Sequence, residues 1–243
     1  MPEAPVRLAV FDCDGTLVDS QHGIVACMAA AFVAAGLAAP AAEAVRRVVG
    51  LPLAASVARL SPLLADAECR RIAELYKQAF TDMRGGKPLD EPLFPGVPEL
   101  LDALEAEGVL LGVATGKGRR GLRMTLEHHG LLQRFATLQT ADDAPGKPHP
   151  EMLRRAMAET GAEPATTAMI GDTTYDILVA LSAGTAAIGV AWGYHPAAEL
   201  SAAGAHAIVA AAHEVPPAWL EVAARAPAKG TSWGAGSSGS SSD

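Results

Sequence analysis

The sequence has few aromatic residues, few cysteines and no excess of positive charge. Its three cysteines are odd in number and lack metal-ligand spacing, so we expect reduced thiols in the cytoplasm rather than a disulfide framework. The formal net charge of -8 argues against nucleic acid or an anionic membrane surface as the main partner. No apolar run is long enough to span a bilayer and no basic-then-apolar leader opens the chain, so we expect neither a membrane segment nor a signal peptide.

Short apolar runs alternate with longer helical patterns over most of the 243 residues. The runs are too short for typical helices and end in glycine or polar turns, which predicts strands at 8–11, 109–114, 135–140, 168–170 and 186–190. Helices are predicted at 98–107, 119–129, 150–160 and 174–183, and each pattern ends at or just before a glycine. Strands that alternate with helices of this length indicate an α/β fold with a Rossmann-like parallel sheet.

One region breaks this alternation, because residues 19 to about 84 contain only helical patterns. The first of these helices is capped by Asp19 or Ser20 and carries Ile24, Met28 and Phe32 on one face. We predict an α-helical cap domain at 19–91, inserted into a catalytic core made of 1–18 and 92–225. The alternative is a helical decoration that packs on the sheet without a role in binding. The Gly- and Ser-rich tail, 226–243, is predicted to be disordered.

Polar side chains follow four of the apolar runs. Two carboxylates one residue apart come directly after the first run, and a hydroxyl with two glycines follows the second. A lysine lies in a proline-rich loop, and a further pair of acids one helical turn apart follows the run at 168–170. The carboxyl ends of parallel strands bind ligands in open α/β sheets, so we expect these side chains to share one crevice. In sequence order they are Asp12, Asp14, Thr115, Gly116, Lys147, Asp172 and Asp176.

Four acids in one crevice would repel one another strongly unless a hard cation shared the site. Oxygen ligands of this kind suit Mg²⁺, which also contacts substrate phosphates. With Mg²⁺ and Lys147 present, the crevice would attract a phosphoryl group, whose transfer depends mainly on positioning and charge stabilisation. Asp176 has a simpler explanation as a first-turn residue favoured by the helix dipole, and Cys13 is interpreted as a packing residue because alternation turns it away from the two acids.

The four motifs in this order resemble those of the haloacid dehalogenase-like hydrolase superfamily, and the helical insert resembles the small helical cap of its phosphoglycolate phosphatase-like members. The resemblance implies that Asp12 is the nucleophile and that Asp14 is the general acid and base. It implies that Thr115, Gly116 and Lys147 bind the phosphoryl group. It further implies that Mg²⁺ is held by Asp12, the Asp14 backbone carbonyl and Asp172, with Asp176 supporting that shell.

The reaction implied is hydrolysis of a small phosphorylated metabolite, with phosphoglycolate as the leading candidate. A phosphosugar mutase of the same superfamily is the alternative, and a phospho-accepting receiver domain is a further one, although it would be about half this length. The resemblance also places a specificity loop of the cap at Gly50-Leu51-Pro52-Leu53. Trp192, Tyr194 and His195 are candidates for the edge of the site, whereas Arg46 and Arg47 are interpreted as a solvated helix face. Monomer and homodimer are both compatible with the sequence.

Overall fold

A computed structural model describes residues 4–85 and 91–225. The helices and strands follow one another in the order β1 (Leu8–Phe11), α1 (Gln21–Ala34), α2 (Ala42–Arg46), α3 (Leu53–Leu60), α4 (Asp66–Arg84), α5 (Val97–Ala106), β2 (Leu110–Thr115), α6 (Arg119–His128), β3 (Phe135–Thr140), α7 (Glu151–Thr160), β4 (Thr167–Gly171), α8 (Thr174–Ala183), β5 (Ala186–Val190), α9 (Ala197–Ala202), β6 (Ala207–Val209) and α10 (Val215–Arg225). Among these residues no helix has the length and apolarity needed to cross a membrane.

The six strands form one parallel sheet in the order β3-β2-β1-β4-β5-β6. Every residue of β1 is buried, because apolar layers cover both faces of the sheet. Ala9 and Phe11 pack into one layer, whereas Leu8 and Val10 pack into the other. The predicted α/β class and parallel sheet are confirmed. β6 was not predicted, because a three-residue strand is too short to show a pattern.

From β1 the chain adds β2 and β3 on one side and then crosses to the other side to form β4, β5 and β6, so strand order reverses at β1. Phe11, the last residue of β1, pairs with Val113 of β2 and Ile170 of β4. The residues that follow these three strands therefore meet at one edge of the sheet, where open α/β sheets bind ligands. This topology brings the predicted site residues to one edge of the sheet.

The helical insert, here α1 to α4, has an apolar core of its own. Ile24, Met28 and Phe32 of α1 are buried, and they pack in one cluster with Ile72 of α4. Where the chain enters and leaves this region, the Asp19 N–H donates to the carbonyl of Pro92 at 2.8 Å, and Val18 forms an antiparallel bridge with Leu93. On these contacts we propose that 19–91 is a separate cap domain.

The prediction that Asp19 or Ser20 caps the N-terminus of α1 is wrong in its detail. Ser20 stands at the N-cap position, but its hydroxyl makes no capping hydrogen bond. It donates instead to Asp14 Oδ1 at 2.6 Å. Asp19 Oδ1 accepts only a long bond of 3.4 Å from the Gln21 N–H. The Ser20 side chain is therefore used by the polar site at the sheet edge. The tail predicted to be disordered lies outside the described residues.

Candidate active site

Three predicted carboxylates meet at the sheet edge. Asp12 follows β1, Asp172 follows β4 and Asp176 lies in the first turn of α8. Each offers one oxygen to a group in which all three oxygens lie within 4.8 Å of one another. All three side chains are buried. Such a cluster is costly unless cations or hydrogen bonds balance its charge.

Lys147 supplies part of that balance. Its ammonium lies 2.6 Å from Asp176 Oδ1 and 3.1 Å from Asp12 Oδ1, and its side chain is fully buried. Burial lowers the pKa of Lys147, but the attraction of Asp12 and Asp176 outweighs it and leaves the pKa above its usual value. The Lys147 side chain is therefore part of the site rather than solvated.

Burial is the largest influence on the pKa values of Asp12 and Asp172. It raises the pKa of Asp12 to about 7, opposed by Lys147 and reinforced by Asp176 and Asp14. Burial likewise raises the pKa of Asp172 well above its usual range, with Asp176 and Asp12 adding repulsion. In this environment a second cation would favour the ionised carboxylates.

The donor set fits a hard divalent cation. Oδ2 of Asp12 is buried and has no hydrogen-bond partner within the described part of the chain. If Asp12, Asp172 and Asp176 are ionised and Lys147 is protonated, the cluster carries two more negative than positive charges. Carboxylate oxygens are the ligands that Mg²⁺ prefers. Participation of the Asp14 backbone carbonyl stays a prediction.

Gly15 allows the backbone after β1 to turn and to approach the Asp172 carboxylate closely. Its φ is +88°, and a Cβ at this position would lie 2.3 Å from Asp172 Oδ2. The next residue, Thr16, donates its hydroxyl to Asp172 Oδ1 at 2.7 Å, and the Tyr194 N–H donates to Oδ2 at 2.9 Å. Only glycine permits both the backbone conformation and this close approach.

Asp176 lies in the first turn of α8, as its simpler explanation expects, and it also contacts Lys147. Its Oδ2 accepts from the Thr173 hydroxyl at 2.7 Å and from the Thr173 N–H at 2.9 Å, which completes a capping box at the start of α8. Its Oδ1 faces Lys147. Helix capping therefore fixes the carboxylate that orients the lysine.

Asp14 belongs to a second charged group that the sequence did not reveal. Lys117 donates to Asp14 Oδ1 at 2.7 Å and also lies 3.3 Å from Glu91 Oε1. Ser20 donates to the same Asp14 oxygen, and Thr125 donates to Glu91 Oε2 at 2.8 Å. Lys117 stood within the strand-end motif without an assigned role, and Glu91 lay in a stretch with no recognisable pattern.

Thr115 and Gly116 lie beside these acids. Thr115 is buried at the end of β2, and its hydroxyl accepts a hydrogen bond of 3.2 Å from the Lys117 N–H. Both residues line the same cavity as Asp12 and Asp14. The structure thus brings the predicted phosphate-binding residues to the predicted acids.

The Gly50–Leu53 segment of the helical insert closes over the site. A Cβ on Gly116 would lie 3.1 Å from the Gly50 carbonyl oxygen, and a Cβ on Gly146 would lie 2.2 Å from Pro52 Cγ. The insert therefore touches both core loops, and the cavity beneath it measures about 1130 Å³.

The three residues considered for the edge of the site contact residues around the acids and the insert. The Trp192 indole donates to the Thr16 carbonyl at 3.1 Å, and the Tyr194 hydroxyl lies 3.3 Å from Ser20 Oγ. His195 Nε2 lies 3.3 Å from the Arg47 carbonyl oxygen.

Arg46 and Arg47 of the insert form ion pairs with different parts of the protein. Arg46, whose side chain is 32% exposed, pairs with Glu43 on its own helix and also donates to Gln21 Oε1 of α1 at 3.5 Å. Arg47 was predicted to be solvated, but it reaches across to Glu199 of the core at 2.6 Å. This pair adds a further link between the insert and the core.

Comparison with known proteins identifies the family of this chain. A family model described as haloacid dehalogenase-like hydrolase matches residues 9–190. The chain is 40% identical over 211 residues to Probable phosphatase IndB of Dickeya dadantii, covering 86% of this chain and 91% of that protein. It is 33% identical to the phosphoglycolate phosphatase of Agrobacterium fabrum, covering 77% and 81%. The crystal structure of a predicted phosphatase from Clostridium acetobutylicum superposes with a TM-score of 0.81 at 27% identity, covering 90% of this chain and all of the other. The chain belongs to the haloacid dehalogenase-like hydrolase family and resembles its phosphatases.

Proposed function

We propose that this protein is a Mg²⁺-dependent phosphatase that hydrolyses a small phosphorylated metabolite through an aspartyl-phosphate intermediate. The observation that carries the proposal is the Asp12 carboxylate. One of its oxygens faces Lys147, the other is buried without a hydrogen-bond partner in the described structure, and the residue lines the cavity beneath the insert. An oxygen held in this way is available to a cation or to phosphorus.

In the first step, an Asp12 oxygen attacks phosphorus and the bond between phosphorus and the ester oxygen breaks. Asp14 lies in the same cavity and would donate its proton to the leaving alcohol oxygen. In the second step, Asp14 accepts a proton from water as that water attacks the aspartyl phosphate. Inorganic phosphate leaves and the Asp12 carboxylate is restored.

Three groups would hold the phosphoryl oxygens during transfer. Lys147 supplies a buried positive charge next to Asp12, and Thr115 supplies a hydroxyl at the end of β2. The Gly116 N–H adds a backbone donor at the turn that leads to α6. When bound by Asp12, Asp172 and the Asp14 carbonyl, with Asp176 supporting, Mg²⁺ neutralises negative charge on the phosphoryl group.

We extend the proposal to a cytoplasmic enzyme without nucleic-acid or membrane partners. The net charge is -8, and Cys13, Cys27 and Cys69 are all buried and form no disulfide in the described structure. Reduced thiols are typical of that compartment.

The test is release of inorganic phosphate from p-nitrophenyl phosphate, with and without Mg²⁺, by Asp12→Asn. We expect turnover to fall by about 10³-fold or more, because the amide is a far weaker nucleophile. The matched control is Asp102→Asn, the same change on an exposed carboxylate paired with Arg134. It should retain activity within about twofold.

Near-normal turnover by Asp12→Asn with a folded circular dichroism spectrum would refute the mechanism. Activity that survives removal of divalent ions by EDTA would refute the metal requirement. Comparing released phosphate with released alcohol on sugar phosphates separates the enzyme from a mutase, which would isomerise its substrate without releasing phosphate.

A further inference from the structure

The cavity that contains Asp12 and Asp14 is large, and its walls are mostly apolar. Its volume of about 1130 Å³ exceeds the roughly 300–1,000 Å³ of sites that enclose drug-sized ligands. Helix α1 contributes Ile24 and Met28, and further apolar side chains come from α2, α4, α6 and the Gly50–Leu53 segment. A two-carbon phosphate ester would occupy a small part of this space and would leave the apolar walls against water.

Two aromatic rings stand in the cavity wall beside the proposed acid. Tyr76 and Phe80 lie on successive turns of α4, with ring centroids 6.1 Å apart and ring planes only 11° apart. The Phe80 centroid lies 5.6 Å from Lys117 Nζ, which in turn contacts Asp14 at 2.7 Å. Asp14 would protonate the leaving alcohol, so the alcohol's carbon skeleton would lie near this stacked pair. Flat aromatic faces favour apolar groups and other rings.

The charges in the cavity do not favour an anionic alcohol. Of the basic side chains that line it within the described residues, Lys117 alone is largely buried, at 7% exposure, and it already faces Asp14 and Glu91. The others, Arg70, Lys77, Arg120 and His128, are exposed. A carboxylate held close to the phosphorus would lose its hydration without gaining an unmatched buried cation.

We propose, on the basis of the phosphatase function, that the preferred substrates are monophosphates of bulky, uncharged, ring-bearing alcohols whose ring packs against Tyr76 and Phe80. Esters of short carboxylate-bearing alcohols, such as phosphoglycolate, should be poor substrates. The cavity volume, the stacked pair and the absence of an unmatched buried cation among the described lining residues support this specificity together.

The experiment compares kcat/KM for ethyl phosphate, 2-phenylethyl phosphate and phosphoglycolate. The first two esters release primary alcohols of similar reactivity, so their difference reports contacts made by the ring. Burial of the phenyl group should raise kcat/KM roughly ten- to a hundredfold over ethyl phosphate. Phosphoglycolate should be hydrolysed more slowly than ethyl phosphate.

The variant Phe80→Ala tests the position of the ring. The ratio of kcat/KM for 2-phenylethyl phosphate to that for ethyl phosphate should fall by about tenfold, because the ring loses its apolar contact. Using the ratio cancels any effect of the variant on the chemical step. The control is Leu63→Ala, since Leu63 is a fully exposed residue of the insert outside the cavity lining. It should leave the ratio unchanged.

The outcomes separate this inference from the phosphatase proposal. Absence of hydrolysis of p-nitrophenyl phosphate and of all three esters by the wild-type enzyme would refute the phosphatase proposal itself. Hydrolysis in which phosphoglycolate is fastest, or in which the ethyl and phenylethyl esters are equal, would overturn only the substrate class. An unchanged ratio in Phe80→Ala would overturn the assignment of the ring to this wall.

Discussion

Replacement of Lys117 by methionine should destabilise the protein strongly. The ammonium lies between Asp14, at 2.7 Å, and Glu91, at 3.3 Å, and the exposed fractions of the three side chains are 7%, 10% and 4% in that order. Burial lowers the pKa of Lys117, but the attraction of the two carboxylates outweighs it and the pKa stands above its usual value. Methionine keeps a comparable apolar length and removes the charge.

The variant leaves two buried carboxylates without their shared counterion. Breaking a buried ion pair by removing one partner costs about 3–5 kcal/mol. Hydrogen bonds from Ser20 to Asp14 and from Thr125 to Glu91 remain, but neither carries positive charge. We therefore expect Lys117→Met to lower the free energy of unfolding by about 3–5 kcal/mol, measured by urea unfolding followed by far-ultraviolet circular dichroism at pH 7.

Two further variants make the test specific. Lys77→Met removes an exposed lysine that pairs with Glu74 on its own helix, and it should cost no more than about 1 kcal/mol. Adding Glu91→Gln to Lys117→Met removes one of the two unpaired charges, so the double variant should be more stable than the single one by about 0.5–3 kcal/mol. A loss for Lys117→Met no larger than for Lys77→Met would refute the electrostatic reasoning, as would a double variant less stable than the single one.

Three further changes test other parts of the structure. Gly15→Ala should lower kcat on p-nitrophenyl phosphate by about a hundredfold or more, because its Cβ would displace the Asp172 carboxylate; wild-type turnover would contradict this. Arg47→Met should cost less than about 1 kcal/mol in urea unfolding, since its pair with Glu199 is about 40% exposed, and a larger loss would show that this link is stronger than its exposure implies. Burial and the nearby Arg47 lower the pKa of His195, so the imidazole takes up a proton at higher pH in the unfolded chain than in the folded protein. Stability is therefore lost as pH falls below about 6.5, the ordinary pKa of histidine. His195→Gln should flatten the pH dependence of the unfolding free energy between pH 7.5 and 5.5, and an equally steep dependence in the variant would refute this reasoning.

The elements near the site were predictable because their patterns are local. The adjacent strands β1 and β4 each end at a polar cluster, and parallel pairing then brings Asp12 and Asp172 together without further information. Glycines follow the four helices predicted in the core, and the continuous apolar run Leu8–Phe11 matches a strand buried between two apolar layers. The short β6 and the six-residue α9 contain too few residues to show the apolar period of a strand or of a helix.

The contacts around Asp14 depend instead on distant positions. Lys117 is 103 residues from Asp14 and 26 from Glu91, so no spacing rule connects them. Ser20 looked like a helix cap because serine is common there, yet its hydroxyl bonds a carboxylate six residues earlier. Local propensity predicted the helical backbone of α1 correctly, but the direction of the Ser20 side chain is set by its hydrogen bond to Asp14, outside the helix.

Glu91 connects the proposed acid to the chain that returns from the helical insert. It directly precedes Pro92, whose carbonyl accepts from the Asp19 N–H at 2.8 Å where the insert begins. Lys117, in the turn that follows β2, contacts both Glu91 and Asp14, and it also lies against Phe80 of α4. A displacement of the insert would therefore change the surroundings of Lys117 and, through it, the position of the Asp14 carboxylate. Asp12, the proposed nucleophile, is paired with a different cation, Lys147. Such a displacement would therefore affect proton transfer by Asp14 more directly than attack by Asp12.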